Sequence, residues 1–511
     1  MVEGGSLSEN IGSTGLDAAT ATAGQLQRAM TDGTLTSAEL TAFYLARIER
    51  LNPRLRAVIT VSDDAAAQAR ASDEARANGT PGGPLTGLPV LIKDNIAVDG
   101  LPATAGSPAL RDSGHGDAFL VGRLRAAGAI VLGKANLSEW ANFRSRHSSS
   151  GWSTLGGQTV NPHGTGRNPS GSSSGSAASV AAGLAPLAVG SETDGSILSP
   201  ASACGIVGVK PTLGLVSRTG IVPISPMQDT AGPMARSVAD AAALLGALSG
   251  HDPADEETGP AASQPADYLS FLNAAALDGA RLGIWRDGSD AAGPMARSVA
   301  DAAALLDAAV ARLRAGGAEV IDPVELPGLD KVGEPEIAAL LHEFKHYLNA
   351  YLSATPGSHP ATLADLIAYN RDNAATVLPV FGQELFELAE ATSGDLADRD
   401  YQAARGEARG LATTALDGVL RSHRLDAVLA LSGSPAWLTD HVLGDHHLYG
   451  SSTPAAVAGY PAISVPAGFV CDLPVGVSFM GPAWSEPRLL ALAYAFEQAG
   501  NAGGAGAAGP R

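Results

Sequence analysis

Short apolar runs alternate with stretches of helical periodicity along most of this chain. The runs have the length of β-strands and end at glycine, proline or charged residues, whereas the stretches between them carry apolar residues at helical spacing. The predicted strands include residues 88–92, 130–132, 187–189, 205–209, 220–224, 281–285, 319–321, 427–430, 462–465 and 475–479. Strands that alternate with helices indicate an α/β fold, with a largely parallel or mixed sheet covered by helices on both faces.

No stretch of the 511-residue chain has the composition of a linker between domains. The longest polar, proline-containing stretch, residues 250–267, is predicted to cross the surface of one domain. Residues 1–18 and 501–511 are rich in Gly, Ser and Ala with little apolar periodicity, which is typical of flexible termini. The sequence therefore predicts a single domain over residues 19–500.

The net charge of −19 restricts the partners of the protein. Binding to nucleic acid or to anionic membranes depends on clustered Lys and Arg, and the sequence contains no such cluster. No apolar run is long enough to span a bilayer, and residues 1–20 lack the features of a signal peptide. We expect a cytoplasmic protein that binds neither nucleic acid nor membrane. Export after removal of a presequence that precedes this numbering is the alternative.

Residues 231–245 recur without change at residues 292–306. Solenoid repeats diverge in sequence and occur in at least three copies, so a recent duplication or an assembly artefact explains this pair better. The segment encodes an amphipathic helix, and we assign it no function.

Lys93 is one of only five lysines, whereas the chain has 28 arginines. A buried lysine can lose its proton and act as a base, which arginine cannot do. Two serine clusters follow it, a Ser/Gly loop at residues 170–176 and Ser196 after Thr-Asp-Gly. A serine nucleophile needs an adjacent base, so a neutral Lys93 can draw a proton from Ser196 through Ser172. Small residues before Ser196 also allow successive backbone N–H groups to converge into an oxyanion hole.

Three other interpretations of these polar residues differ in their chemistry. Residues 171–175 fit the G-x-S-x-G nucleophile elbow, in which Ser173 would be the nucleophile of a Ser-Asp-His enzyme. The Ser/Gly loop has the composition of a flexible linker, although the apolar helix predicted directly behind it argues against that. Residues 441–447 include three histidines and Asp445, but their spacing matches no familiar pattern of metal ligands.

Sequence motifs along most of the chain resemble the amidase signature family. Near the candidate site these are Lys93-Asp-Asn95, the Ser/Gly loop, Gly190-Ser-Glu-Thr-Asp-Gly-Ser196 and Cys204-Gly-Ile-Val-Gly-Val-Lys-Pro-Thr212. Elsewhere they are Gly156-Gly-Gln-Thr159, Asn161-Pro162, Gln228-Asp-Thr-Ala-Gly-Pro-Met234, Tyr460-Pro461, Leu473-Pro-Val-Gly476 and Trp484-Ser-Glu486. The resemblance implies that the single domain is an amidase domain with an α/β/α fold around a large mixed sheet.

The resemblance also implies a role for each candidate residue. Ser196 would be the nucleophile that forms an acyl-enzyme, and Lys93 would be the terminal base. Ser172 would be the bridging serine, preceded by a cis peptide bond from Gly171, and Ser173 would support the loop. The oxyanion hole would consist of the backbone N–H groups of Thr193, Asp194, Gly195 and Ser196. The family chemistry requires neither a metal nor an organic cofactor.

Residues 134–143, 343–345 and 381–384 resemble bacterial peptide amidases in particular. Those enzymes hydrolyse the C-terminal amide of peptides without cleaving internal bonds. Ser170-Gly171 and Asp194-Gly195 stand where the larger family usually has Gly-Gly. Asp194 is shared with peptide amidases, and its carboxylate would have to point away from the oxyanion.

We therefore expect a C-terminally amidated peptide as substrate and a monomeric enzyme, with a homodimer as the alternative. Three other functions stay open. An amidase of small aliphatic or aryl amides would differ from a peptide amidase only in its substrate pocket. As the A subunit of a tRNA-dependent amidotransferase it would need partner chains. A non-catalytic homologue is disfavoured because all three candidate residues are present.

Overall fold

A computed structural model describes residues 10–11, 15–286 and 296–502 of the chain. Its centre is a mixed sheet of eleven strands flanked by helices, so the predicted α/β fold class is confirmed. The first strand of this sheet in the chain is Val58–Val61 and the last is Leu473–Met480.

The strands in the described ranges are β1 (Asn10–Ile11), β2 (Leu16–Asp17), β3 (Val58–Val61), β4 (Pro89–Lys93), β5 (Ile130–Ala135), β6 (Trp152–Ser153), β7 (Gly157–Gln158), β8 (Leu187–Glu192), β9 (Val207–Lys210), β10 (Thr230–Ala235), β11 (Arg281–Trp285), β12 (Glu319–Val324), β13 (Ala427–Leu431), β14 (Ala462–Val470) and β15 (Leu473–Met480). The α-helices there are α1 (Ala23–Thr31), α2 (Ser37–Leu55), α3 (Ala65–Ala77), α4 (Phe119–Ala126), α5 (Ser174–Ala181), α6 (Leu198–Cys204), α7 (Val238–Leu248), α8 (Ala296–Ala315), α9 (Gly333–Ala354), α10 (Leu363–Asp372), α11 (Ala374–Val377), α12 (Glu384–Ala391), α13 (Arg399–Ser422), α14 (Thr453–Ala458) and α15 (Glu486–Ala502). Short 3₁₀ helices lie at Pro108–Leu110, Glu139–Asn142, Glu256–Ser263, Leu269–Phe271 and Leu329–Lys331.

The order of the strands brings two segments of the candidate site to one edge of the sheet. The spatial order is β12, β11, β13, β15, β14, β9, β10, β8, β4, β5 and β3. β4 runs parallel to both of its neighbours, β5 and β8, whereas β10 is antiparallel to β8 and to β9. The carboxyl ends of parallel strands lie at the same edge of a sheet. β4 ends at Lys93 and β8 ends at Glu192, so Lys93 lies close to the segment that contains Ser196.

The middle of the sheet is buried on both faces. Every residue of β4, β8 and β15 is buried. Continuous apolar runs, rather than alternating ones, are typical of strands covered on both faces. α5, which directly follows the Ser/Gly loop, is also buried over residues 174–180. The loop is therefore anchored in the core and is not a flexible linker.

The strand predicted at residues 220–224 is wrong. Ile221 forms only an isolated bridge with Ile96, and the run belongs to no strand of the sheet. Pro223 has no N–H to donate to a neighbouring strand, so this apolar run packs as a loop over the site instead.

The packed part of the chain begins before the predicted boundary at residue 19. β1 pairs with β2, and Ala18 is fully buried while its carbonyl accepts a hydrogen bond of 2.7 Å from Tyr44 Oη. At the other end α15 extends to Ala502, two residues beyond the predicted end of the domain. The rest of the predicted flexible termini lies outside the described residues. None of the helices in the described ranges combines the length and the apolar character needed to cross a membrane.

The two identical segments occupy different parts of the fold. The first copy, residues 231–245, forms most of β10 and the beginning of α7. Residues 296–306 of the second copy form the beginning of α8, and residues 292–295 lie outside the described ranges.

Candidate active site

Lys93 is fully buried at the end of β4 and contacts the Ser/Gly loop. Its Nζ donates hydrogen bonds to Ser172 Oγ at 2.7 Å and to the carbonyl oxygen of Ser191 at 3.0 Å. Burial lowers the pKa of Lys93 to about 7, although the negative charges of Glu192 and Asp229 oppose this shift. A large fraction of Lys93 is therefore neutral near pH 7 and able to accept a proton.

The loop that carries Ser172 is fixed by Ser138. The peptide bond between Gly171 and Ser172 is cis, and the backbone N–H of Ser138 donates to the carbonyl of Ser172 at 3.1 Å. A Cβ atom on Gly171 would lie 2.2 Å from Ser138 Oγ, so only glycine fits at this position. Ser174 Oγ donates to the carbonyl of Ser170 at 2.6 Å and closes the loop on α5.

Ser196 lies in the turn between β8 and α6. Within the described residues, the backbone N–H groups of Asp194, Gly195 and Ser196 donate to no acceptor. Gly195 has a positive φ of 79°, which a residue with a side chain rarely adopts. The turn thus leaves three N–H groups next to the Ser196 side chain, as an oxyanion hole requires.

Glu192 holds the beginning of α6 just beyond this turn. Its Oε2 accepts hydrogen bonds from the N–H groups of Ile197 at 2.7 Å and of Leu198 at 3.0 Å. These two groups would otherwise be unpaired at the helix N-terminus. Glu192 therefore fixes the backbone on the C-terminal side of Ser196.

The side chain of Asp194 is held by a residue distant in sequence. Its Oδ2 accepts a hydrogen bond of 2.7 Å from Thr453 Oγ1, at the beginning of α14. Burial raises the pKa of Asp194, and hydrogen bonds from Ser452 and Thr453 partly offset that rise.

Ser173, the predicted supporting residue, faces the protein interior. It is fully buried, and its Oγ donates to the carbonyl of Ser191 at 3.0 Å and accepts from the N–H of the same residue at 3.2 Å. Its own N–H donates to the carbonyl of Ser196 at 3.0 Å. Ser173 thus ties the Ser/Gly loop to β8 and to Ser196. These contacts exclude the nucleophile elbow, in which Ser173 Oγ would face the substrate.

The histidines near residue 445 point to different partners. His441 Nε2 contacts Gln158 Oε1 at 3.0 Å, whereas His446 Nε2 contacts Asp440 Oδ2 at 3.3 Å. Asp445 accepts hydrogen bonds from backbone and side-chain N–H groups. Over residues 10–11, 15–286 and 296–502, no three His, Cys, Asp or Glu side chains are grouped so that they could hold a metal ion.

A cavity of about 430 Å³ opens beside Ser196. Its walls include the Ser196 turn, the beginning of the Ser/Gly loop, and residues of the 3₁₀ segment that ends at Asn142. The apolar part of the lining includes Phe143, Ile224, Ile337 and Leu340, and the acidic part is Asp194, Glu336 and Asp445. The volume is in the range of small-molecule sites in proteins.

A polar network that the sequence motifs did not identify as functional connects α9 and α13 to the Ser196 turn. Gln228 Nε2 donates to Glu336 Oε1 at 2.8 Å and to the carbonyl of Thr193 at 3.4 Å. Arg405 donates to Gln228 Oε1 at 2.5 Å and forms an ion pair with buried Glu343. Burial and the nearby charge of Asp194 raise the pKa of Glu336. Gln228 and Glu343 lie in motifs of the resemblance, whereas nothing in the sequence singled out Glu336.

Known proteins resemble this chain over nearly its whole length. The profile of the Amidase family matches residues 39–490. The solved native peptide amidase of Stenotrophomonas maltophilia is 47% identical and covers 96% of this chain and 98% of its own, with a TM-score of 0.89. A probable amidase of Arabidopsis thaliana is 42% identical over 94% of this chain and 90% of its own length. The A subunit of the glutamyl-tRNA(Gln) amidotransferase of Pseudomonas aeruginosa is 35% identical over 93% of this chain and 96% of its own length. Together with the geometry at Lys93, these similarities show that the chain belongs to the amidase signature family and is an amide-hydrolysing enzyme.

Proposed function

We propose that this enzyme hydrolyses the C-terminal amide of peptides, releasing ammonia and the free acid through an acyl-enzyme on Ser196. The hydrogen bond between Lys93 Nζ and Ser172 Oγ carries the proposal, because Ser172 and Ser196 line the same small space. Across that contact a neutral lysine can take the proton that Ser172 relays from Ser196. Histidine has no part in this relay.

In the first half-reaction Ser196 Oγ attacks the amide carbon while its proton passes to Ser172, whose own proton passes to Lys93. The backbone N–H groups of the Thr193–Ser196 turn would stabilise the oxyanion of the tetrahedral intermediate. The C–N bond then breaks as the proton returns through Ser172 to the nitrogen, and ammonia leaves. In the second half-reaction water gives a proton to the same relay as its oxygen adds to the acyl carbon. The bond between that carbon and Ser196 Oγ then breaks, the relay returns the proton to Ser196 Oγ, and the acid leaves.

The cavity supports a peptide as the acyl part of the substrate. Its apolar lining at Phe143, Ile337 and Leu340 can pack against the side chain next to the scissile amide. Asp194 and Asp445 line the same cavity, and their negative charge favours neutral or basic peptides over acidic ones. The 47% identity to a peptide amidase adds support.

Ammonia release from a panel of substrates tests the proposal. The panel has three parts. The first is a set of amidated dipeptides and tripeptides, the second is a set of peptides of the same lengths that contain Asn or Gln and end in a free acid, and the third is a set of simple aliphatic and aryl amides. We expect amidated peptides to be hydrolysed fastest, and the Asn and Gln side chains to be left intact. Rapid hydrolysis of simple amides without reaction of peptides would contradict the proposal. Activity that appears only after partner chains and aminoacyl-tRNA are added would favour the amidotransferase function instead.

A further inference from the structure

A second, much smaller cavity lies between Ser172 and Ser196. Its volume is about 10 Å³, which is about the room that one water-sized molecule occupies. Its apolar lining consists of Ala141, Ile221, Val222 and Ile224. Its polar lining includes Asn95, Glu192 and Asp229. We call this small cavity the niche.

Two of the residues that line the niche each have a buried oxygen atom without a hydrogen-bond partner. Within the described residues, Asn95 Oδ1 and Glu192 Oε1 accept no hydrogen bond, although Asn95 is only 3% exposed and Glu192 only 1%. The remaining polar atoms of both side chains are fixed, because Asn95 Nδ2 donates to Ser191 Oγ at 2.9 Å and Glu192 Oε2 caps α6. Buried acceptors without partners cost free energy, so these oxygens suit a small molecule with N–H or O–H donors.

We propose that the niche receives the ammonia that leaves the substrate and then the water that replaces it. The inference rests on the proposed function only in that Ser196 forms an acyl-enzyme from a primary amide. Ammonia is close to water in size and has three N–H bonds, two of which can donate to Asn95 Oδ1 and Glu192 Oε1. An oxyanion does not fit there, since both oxygens would repel its charge, and the unpaired N–H groups of residues 194–196 provide its site.

The position of the niche agrees with the proton transfers. When the C–N bond breaks, Lys93 returns its proton to Ser172, and Ser172 passes a proton to the departing nitrogen, which becomes neutral ammonia. Ser172 and Ser196 both line the niche, so the nitrogen can receive this proton as it moves away from the acyl carbon. Water that enters the same place after ammonia leaves can return a proton to Ser172 and attack along the same direction.

The size of the niche then limits the leaving group. A volume of about 10 Å³ leaves no room beside Ile221 and Val222 for a methyl group on the amide nitrogen. A single carbon group against a tight wall changes kcat/KM by roughly 10- to 200-fold. The niche therefore explains why an internal peptide bond, whose leaving group is a whole residue, would not be cleaved.

Enlarging the niche tests its size. The wild type and Val222→Ala are compared on one primary amide and its N-methyl derivative, with the primary amide that the enzyme hydrolyses fastest as the parent compound. We expect Val222→Ala to raise the ratio of kcat/KM for the N-methylamide over the amide about tenfold. Val216→Ala, a buried core position outside both cavities, is the matched control and should leave the ratio unchanged.

An unchanged ratio in folded, active Val222→Ala would overturn the proposal. If that variant fails to fold, the milder Ile221→Val decides by the same criterion. Because any primary amide serves, failure on peptides would count against the peptide substrate alone.

Inhibition by ammonia tests the polar wall. Ammonium chloride should inhibit the wild type more than sodium chloride does at equal ionic strength. Asn95→Leu should raise the inhibition constant for ammonia about tenfold, as expected for one lost hydrogen bond. Asn95→Asp keeps an oxygen at this position and should bind ammonia more tightly than Asn95→Leu. A lower kcat with an unchanged inhibition constant in Asn95→Leu would mean that Asn95 only positions Ser191, and would overturn its assignment to the niche.

Discussion

Lys93 Nζ lies 2.7 Å from Ser172 Oγ although 79 residues separate the two in sequence. The contact exists because β4 and β8 are parallel neighbours, which places the end of β4 beside the loop that leads into α5. Lys93 can accept a proton from Ser172 because burial lowers its pKa to about 7, which leaves much of the amine neutral. The contact leads directly to the first two predictions.

Removing members of the relay should give unequal and non-additive losses. Ser196→Ala should abolish turnover, because no other group can hold the acyl intermediate. Lys93→Ala should lower kcat on the order of 10³-fold or more, and Lys93→Ala/Ser172→Ala should be little worse, since the residues act as a unit. Steady-state kinetics measure each loss, and circular dichroism checks the fold.

Ser173→Ala is the control and should lose far less activity, because Ser173 Oγ bonds only to backbone groups of Ser191. Full activity of Ser196→Ala would refute the relay.

The pH dependence of kcat/KM should report the charge of Lys93. The relay needs the neutral amine, which predominates above its pKa of about 7 and is lost as the pH falls through that value. We expect kcat/KM to decrease by roughly tenfold per pH unit on the acidic side. Residual activity of Lys93→Met should lack this limb. The same acidic limb in that variant would assign the base to another group.

Thr453 should matter through the charge of Asp194. Thr453→Val removes one of the two side-chain hydrogen bonds to the carboxylate, which Ser452 alone then holds and which turns more easily toward the N–H groups of its own turn. We expect kcat to fall by roughly ten- to a hundredfold, because a negative charge there repels the oxyanion. Thr453→Ser should keep most of the activity.

Neutralising Asp194 separates charge from packing. In the background of Asp194→Asn, the further change Thr453→Val should cost little, because no charge remains to be released. If Thr453→Val is as harmful in that background as in the wild type, Thr453 acts by packing and the account of Asp194 is wrong.

Arg144 should contribute strongly to stability. It is fully buried, forms an ion pair with buried Glu139, and stacks over the rings of Phe381 at 4.1 Å and Trp152 at 5.4 Å. Arg144→Ala should lower the free energy of unfolding by about 3–5 kcal/mol, because it leaves the Glu139 carboxylate buried without its partner. Denaturant unfolding measures the change.

Two controls define the origin of that loss. Replacing Arg144 by Met and Glu139 by Leu together should recover part of the stability, since no unpaired charge remains. Arg421→Ala, which breaks an exposed ion pair with Asp417, should change the unfolding free energy by less than about 1 kcal/mol. A loss in Arg144→Ala as small as that in Arg421→Ala would contradict the interpretation.

The fold class and the proximity of the three candidate residues could be predicted from the sequence, because both follow from local patterns. Apolar runs mark β4 and β8, and the side-chain chemistry of lysine and serine indicates the relay. Contacts between distant segments could not be predicted. The charge of Asp194 predicts that its side chain turns away from the oxyanion. Its partner Thr453 lies 259 residues further on, and only the packing of α14 brings the two together.

The niche was hidden for the same reason. Asn95 belongs to a motif noticed for Lys93, and Val222 to a run predicted wrongly as a strand. Their role depends on the empty space between them, which exists only when residues 220–224 fold over the end of β4 as a loop. Periodicity describes which face of an element is buried, and it contains no information about a cavity that several loops enclose.

Mass spectrometry of an amidated pentapeptide incubated with the enzyme tests the central claim most directly. The peptide should contain one Asn and one basic residue, and Ser196→Ala should be run in parallel. We predict a single product with the mass of the free C-terminal acid, intact internal bonds and an intact Asn, and no product with Ser196→Ala. Fragments from internal cleavage, deamidation of the Asn side chain, or the same product with Ser196→Ala would contradict the account.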